Sequence, residues 1–389
     1  MSESGARRVL SSTGTSDWPM VRRRPTRAVS VAGRLIIGGG APISVQTMTK
    51  TDTRDVAATT EQIRALEEAG ADLIRLAVPD AEAAEALGPI VKRAKVPLVA
   101  DIHFDYRLAL VALERGVAKL RINPGNIGGP DRVQTVAKAA RARGVPIRIG
   151  VNSGSLEKPL LAKYGRPTPE AMVESALGHI RLLEDEGFAD IVVSLKSSDV
   201  ATTVAAYRLA AESWSYPLHL GITEAGGAVA GTAKSAVGLA LLLAEGIGDT
   251  LRVSLTGETV AEVRAGQEIL RSLQLRNFGV NVISCPTCGR CEIDLAAVAT
   301  EVERRLGGVK VPLTVSILGC AVNGPGEAAE ADVGLAGGKQ GGLLFRHGRV
   351  VGRVSEEEMV DAFVELVQKV AEEKRAELGD EPWTSRPNS

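Results

Sequence analysis

Residues 96–152 read VPLVADIHFDYRLALVALERGVAKLRINPGNIGGPDRVQTVAKAARARGVPIRIGVN. Three β-branched runs punctuate them: VPLVADIHF from Val96, KLRINP from Lys119 and PIRIGVN from Pro146. Between the runs lie longer Ala- and Leu-rich segments that stop at Gly116 and Gly144, where glycine takes the left-handed turn that ends a helix without steric cost. Strand, helix, strand, helix, strand is the repeating unit of a parallel sheet covered by helices. The unit recurs on both sides. ISVQTM from Ile43 and LIRLAV from Leu73 precede the stretch, and DIVVSLK from Asp190, PLHLGIT from Pro217 and LRVSLT from Leu251 follow it. The segments between carry helical spacing. Met172, Ala176, Ile180 and Leu183 fall three and four residues apart, forming one apolar stripe, and Gly70 and Gly187 supply further stops. Eight such units over about 240 residues predict an α/β fold, a TIM-like (β/α)8 barrel, spanning residues 31–278. A doubly wound sheet is the alternative, but no strand leads into a G-x-G-x-x-G helix start, so a dinucleotide crevice is poorly supported.

Composition narrows the function. The chain has 389 residues, 46 basic against 47 acidic side chains, 44% apolar and 24% charged residues, as an ordinary globular protein does. A net charge of −1 and 3% aromatic residues argue against a nucleic-acid binder, which needs a basic face or stacking rings. The longest apolar run, around Ala236–Ala244, falls well short of the roughly 20 residues of a membrane span. Residues 1–30 hold Arg22, Arg23, Arg24 and Arg27 without an apolar export segment and read as a disordered basic arm.

Near residue 280 the pattern changes, and residues 279–389 read as a second, small α+β domain. It contains a helix from Leu295 to Leu306, the strand VPLTVSILGC, the Gly-rich stretch VGLAGGKQGGLLF and a charged amphipathic helix from Ser355. All four cysteines fall here, at positions 285, 288, 291 and 320. Clustering of this kind in a large chain with no export signal points to a metal or redox site in a reducing compartment, hence the cytoplasm. A C-x-x-C turn brings two thiolates to one centre, as in both zinc and iron–sulfur sites. Spacing alone leaves structural zinc on four cysteines, an iron–sulfur cluster and a dithiol pair open.

The ends of the barrel strands are the functional face of this fold, and here they are unusually polar. Arg75, Arg121, Arg148, Lys196 and Arg252 place one cation on each of five strands, accompanied by Asp101, His103, Asn123, Asn152, Glu224 and Ser254. A single strand arginine commonly pairs with a neighbouring acid. Five converging cations need a polyanion, and the guanidinium fork suits phosphate. The turn NPGNIGG after Arg121 could add backbone N–H donors. Asp101 and His103 share one side of a strand, which favours a functional histidine over a core one. His179, His219 and His347 lack such neighbours and read as structural.

The motifs ISCPTCGR and SILGCAVNGPGE closely resemble those of the 4-hydroxy-3-methylbut-2-enyl diphosphate synthase family, in its bacterial two-domain form. QTMT, ADIHF, RINPGNIG, RIGVNSGSL, SLKSSD and HLGITEAG match in order over residues 34–370. The resemblance implies a 4Fe-4S cluster held by Cys285, Cys288, Cys320 and Glu327, with Cys291 a bystander. A carboxylate is the more exchangeable ligand, so a substrate oxygen can displace it. It further implies that 2-C-methyl-D-erythritol 2,4-cyclodiphosphate is gripped by Arg75, His103, Arg121, Arg148, Asn152, Ser153, Lys196, Arg252 and Ser254. Asp101 and Asn123 would lie in the same pocket, Glu224 near the reacting carbons, and Asn323 would reach in from the cluster domain. Flavodoxin or ferredoxin would supply electrons. The short linker at residues 276–282 and the family's habit suggest a head-to-tail homodimer, one subunit's cluster domain capping the other's barrel.

Overall fold

A computed structural model describes residues 21–320 and 330–378. A short hairpin comes first, β1 (Val29–Val31) with β2 (Leu35–Ile37). Eight parallel strands follow: β3 (Ser44–Met48), β4 (Leu73–Ala77), β5 (Leu98–Ile102), β6 (Lys119–Ile122), β7 (Ile147–Asn152), β8 (Ile191–Lys196), β9 (His219–Leu220) and β10 (Thr250–Leu251). Each of the eight runs read from the sequence supplies one of them. The sheet order is β8-β7-β6-β5-β4-β3-β10-β9. A parallel bridge between Val193 and Leu218 joins its two edges, with Val193 N donating to Pro217 O at 2.9 Å, and the sheet becomes a barrel.

Helices pack around it. Aspartates at 55, 80, 105 and 199 cap four of them by accepting from a backbone N–H in the first turn, each contact contributing about 1 kcal/mol. The caps at 80, 105 and 199 come three residues after their strands and keep those loops at the barrel mouth short. In the helix Pro169–Glu184, Met172, Ala176, Ile180 and Leu183 are all buried, as their spacing predicts.

The hairpin lies outside the sequence reading. Its Val29, Val31 and Ile37 pack on Leu73, Val99 and Val192, which sit early in their strands, so it plugs the end of the barrel opposite the strand carboxyl ends. The disordered arm expected over residues 1–30 is corrected in its described part. Residues 1–20 are outside the described residues, but residues 21–30 lie against the barrel. Arg23 pairs with Asp249 at 3.0 Å. Arg24 donates to the carbonyls of Ala211, Trp214 and Tyr216, and the Arg27 guanidinium stacks 4.4 Å from the Tyr216 ring centre. Carbonyls left over at the ends of helices and strands need donors, and arginines supply them.

The C-terminal unit is a five-stranded sheet, β11 (Val280–Ser284), β12 (Leu313–Leu318), β13 (Val333–Gly338), β14 (Gly341–Arg346) and β15 (Arg349–Val354), in that order. The first three run parallel and the last three antiparallel. The Gly-rich stretch is the β13–β14 hairpin. Helices Leu295–Leu306 and Met359–Leu378 bury Val302, Leu306, Phe363 and Val367 with the strand residues Val315, Ile317 and Leu335 in a core of their own. No helix among the described residues is long and apolar enough to cross a membrane.

Candidate active site

Alternation along the strands turns every second side chain toward the barrel axis. On β4 this selects Arg75, on β5 Asp101, on β6 Arg121, on β7 Arg148 and Asn152, and on β8 Ser194 and Lys196. These residues, together with His103, Thr223, Arg252 and Ser254, line one cavity of about 200 Å³. The five cations therefore converge on one space.

Asp101 organises one side. Its Oδ1 accepts from Arg121 NH1 at 3.0 Å, and its Oδ2 lies 3.5 Å from Arg75 Nε and 3.4 Å from His103 Nε2. Burial alone would raise this carboxyl, but Arg75, His103 and Arg121 outweigh it and hold it well below the usual carboxylate range. On the other side Glu262, from the helix Thr259–Ser272, lies 3.4 Å from Arg252 and 3.2 Å from Lys50. The Met48 sulfur accepts from Arg75 NH2 at 3.0 Å and faces Arg252 NH1 at 3.7 Å.

Two glycines make room for cations. A Cβ on Gly150 would lie 2.3 Å from Arg121 Nε, and one on Gly221 would lie 2.7 Å from Lys196 Nζ. Five cations face two carboxylates here, and burial lowers several of them. Arg75 is pushed down to about 10 by burial against the pull of Asp101. Lys196 falls well below its ordinary value through burial and then through Arg148, Arg75, Arg252 and Arg121. Buried positive charge in this excess is costly unless an anion offsets it.

Of the residues expected here, Arg75, Asp101, His103, Arg121, Arg148, Asn152, Lys196, Arg252 and Ser254 line the cavity. His103 is exposed at the rim, which excludes a core histidine. Three others are not among the lining residues. Asn123 is buried and donates to Ser155 Oγ at 3.4 Å. Ser153 donates to Ser197 Oγ at 3.3 Å. Glu224 is exposed in the loop after β9, beside the lining residue Thr223, and holds a left-handed φ of 52°. Strain of that kind on a non-glycine residue persists only where the surroundings impose it. Of the turn after Arg121, Asn123 and residues 126–129 are not among the lining residues. Ser194 and Thr223 were not anticipated. Ser194 stands one pleat before Lys196, so alternation could have found it. Glu262 carries no local signal at all.

In the C-terminal unit Cys285 follows β11 and Cys320 follows β12, neighbouring parallel strands that end on the same side. Gly319 N donates to Cys285 Sγ at 3.4 Å, and Cys288 is exposed in the intervening turn. All four thiols are free. Cys291 donates its Sγ–H to Ile293 O at 3.2 Å, which occupies it locally. Asn323 and Glu327 lie outside the described residues, and among those described no three His, Cys, Asp or Glu side chains already gather as a metal set. A soft thiolate set at two adjacent strand ends with a C-x-x-C turn fits iron–sulfur or zinc chemistry and fits hard cations poorly.

The comparisons with known proteins follow the same division. The GcpE TIM-barrel domain matches residues 26–267 and the GcpE protein C-terminal domain residues 281–369. A relative from Geobacter sulfurreducens, "4-hydroxy-3-methylbut-2-en-1-yl diphosphate synthase (flavodoxin)", is 61% identical over 90% of this chain and 99% of its own length. Relatives of the same name from Symbiobacterium thermophilum and Clostridium perfringens are 60% and 54% identical, over 92% and 90% of this chain and 96% and 100% of their own. Barrel and thiol-bearing unit thus match in order and nearly end to end, and the chain belongs to the GcpE family.

Proposed function

We propose that this chain carries out the reaction for which its relatives are named. It is an oxidoreductase of isoprenoid synthesis. Two electrons open the ring of 2-C-methyl-D-erythritol 2,4-cyclodiphosphate, a C–O bond to phosphate breaks, the C3 hydroxyl leaves as water, and (E)-4-hydroxy-3-methylbut-2-enyl diphosphate remains. The observation that carries this is the convergence of Arg75, Arg121, Arg148, Lys196 and Arg252 on one cavity at the barrel mouth.

Those cations neutralise the diphosphate. Asp101 fixes the directions of Arg75 and Arg121, so their donors need not reorganise as charge develops on the departing phosphate oxygen. His103 and Ser254 sit on the same cavity and can donate to the phosphates. Asn123 and Ser153, bonded to Ser155 and Ser197, support the loop ends beside it. Glu224, exposed at the mouth, delivers a proton to the C3 hydroxyl as it leaves as water. Cys285, Cys288, Cys320 and Glu327 would hold a 4Fe-4S cluster, which supplies the electrons singly when bound. Asn323 shares the motif of Cys320 and Glu327 and would join them near the substrate.

No described residue of the C-terminal unit lines the barrel cavity. With the short connection from Ser272 to Val280, this favours a head-to-tail homodimer in which a second copy completes the site. Flavodoxin, named for the relatives, is the donor to test first, with ferredoxin the alternative. The thiolate set supports a reducing compartment, the cytoplasm.

The test is anaerobic reconstitution with iron and sulfide, followed by turnover of the cyclic diphosphate with reduced flavodoxin. The expected protein is brown, bleaches on reduction and releases the linear diphosphate. A colourless zinc protein, or a brown one inert toward this substrate, refutes the reading.

A further inference from the structure

Beneath the cavity the barrel interior stays polar, where barrels of this class are filled by branched apolar side chains. Ser44 and Gln46 on β3, Lys119 on β6, Arg148 on β7, His219 on β9 and Thr250 on β10 are all buried. Each leaves at least one side-chain polar atom without a hydrogen-bond partner. Lys119 is the extreme case. It is 0% exposed and its Nζ bonds to nothing. It stands two residues before Arg121 on the same strand, so both point to the barrel axis.

The charged groups facing this interior are Arg75 from β4, Asp101 from β5, Arg121 from β6, Arg148 from β7, Lys196 from β8, His219 from β9, Arg252 after β10 and Glu262 from the helix Thr259–Ser272, against Arg252. β3 contributes neutral side chains only. Asp101 is already shared by Arg75, Arg121 and His103, and Glu262 by Arg252 and Lys50. An unpaired buried ammonium among cations is costly, and an amine escapes the cost by giving up its proton. A guanidinium cannot do so. Burial, and next the Arg148 charge, push the Lys119 amine well below its ordinary value.

We infer that Lys119 is a proton-uptake group for the substrate site: neutral beneath the unliganded cavity, it becomes an ammonium when a diphosphate lies above it, so binding draws a proton from solution. The proton joins the Nζ lone pair, and no other bond changes. Lys119 does not touch the ligand; it is a positioning residue that adjusts the field under the phosphates. The inference rests on the diphosphate reading of the cavity. Its sign is fixed. A base whose pKa rises on binding makes binding tighter at low pH and weaker as pH rises through the liganded value.

The experiment is titration calorimetry of reconstituted, unreduced protein with the cyclic diphosphate, at mildly alkaline pH, in buffers of different ionisation enthalpy. Burial also lowers Lys196, so it too can take up a proton, and the comparison with Lys119→Met isolates the deeper amine. Wild type is expected to absorb about one proton more than the variant, and its Kd to rise up to about tenfold more per pH unit where Lys119 titrates. Equal uptake by the two proteins overturns the inference. Should the variant fail to fold, the lysine Nζ resonances of 15N-labelled wild type decide it, and a buried amine whose protonation is unchanged on binding overturns it. Absence of any binding overturns the site reading and the inference together, whereas binding with equal uptake overturns the inference alone.

Discussion

Gly150→Ala tests whether the cavity depends on where the Arg121 guanidinium sits. Gly150 lies within β7 and carries no left-handed φ, so alanine suits its backbone. The obstacle is the space. The new Cβ would stand 2.3 Å from Arg121 Nε, 2.7 Å from NH2 and 2.9 Å from Cζ, all inside van der Waals contact. Arg121 is 4% exposed and tied to Asp101 at 3.0 Å, so its head group can swing aside only by leaving that carboxylate or the ligand position. A charge-assisted contact of this kind is worth about 1.5–3 kcal/mol, and losing the aligned fork should cost about 2–3 kcal/mol of transition-state binding. The expected fall in kcat/KM is about 30- to 150-fold. Steady-state turnover with the cyclic diphosphate and reduced flavodoxin measures it. If displacement of Arg121 is the cause, Gly150→Ala adds little in an Arg121→Ala background. A Gly150→Ala enzyme with wild-type kcat/KM, or a double variant whose losses simply add, would refute the argument.

Three further outcomes are expected. Asp101→Asn leaves Arg75 and Arg121 buried without their anion and should cost about 3–5 kcal/mol, partly recovered by inorganic pyrophosphate, whose effect on the melting temperature should be larger in the variant than in wild type. Because the folded-state carboxyl is depressed, this stability is present above the unfolded value of about 3.9 and disappears as pH falls; a wild-type advantage that survives acid denaturation series unchanged contradicts it. Glu224→Gly relieves the left-handed backbone at φ 52° and should raise stability by about 1 kcal/mol while lowering kcat, and a drop in both would sink the strain argument. Cys291→Ala should keep its iron and its visible spectrum because its thiol is engaged by Ile293 O, whereas Cys288→Ala should lose both; iron loss from the Cys291 variant would put that thiol among the ligands.

Periodicity is local, and what depends on it could be read directly. Alternation in LIRLAV, KLRINP and PIRIGVN set which side chains face the axis, so Arg75, Arg121 and Arg148 were recognisable before any fold was drawn. The same alternation would have found Ser194. C-x-x-C is likewise a local signature, and it could not choose a metal because zinc and iron–sulfur sites share it.

What the amino-acid order determined by itself was the succession of eight strand–helix units, the two-domain division and the inward cations. Short-range patterns specify those without reference to the rest of the chain. Only the tertiary structure decided that the cations share one cavity, and that Glu262 and Met48 brace Arg252. It also decided that the β1–β2 hairpin plugs the barrel and that Arg24 is held by carbonyls near residue 214. These are meetings of segments as many as two hundred residues apart. Their partners are chosen by barrel closure, and no spacing along the chain encodes which strand end will lie opposite which.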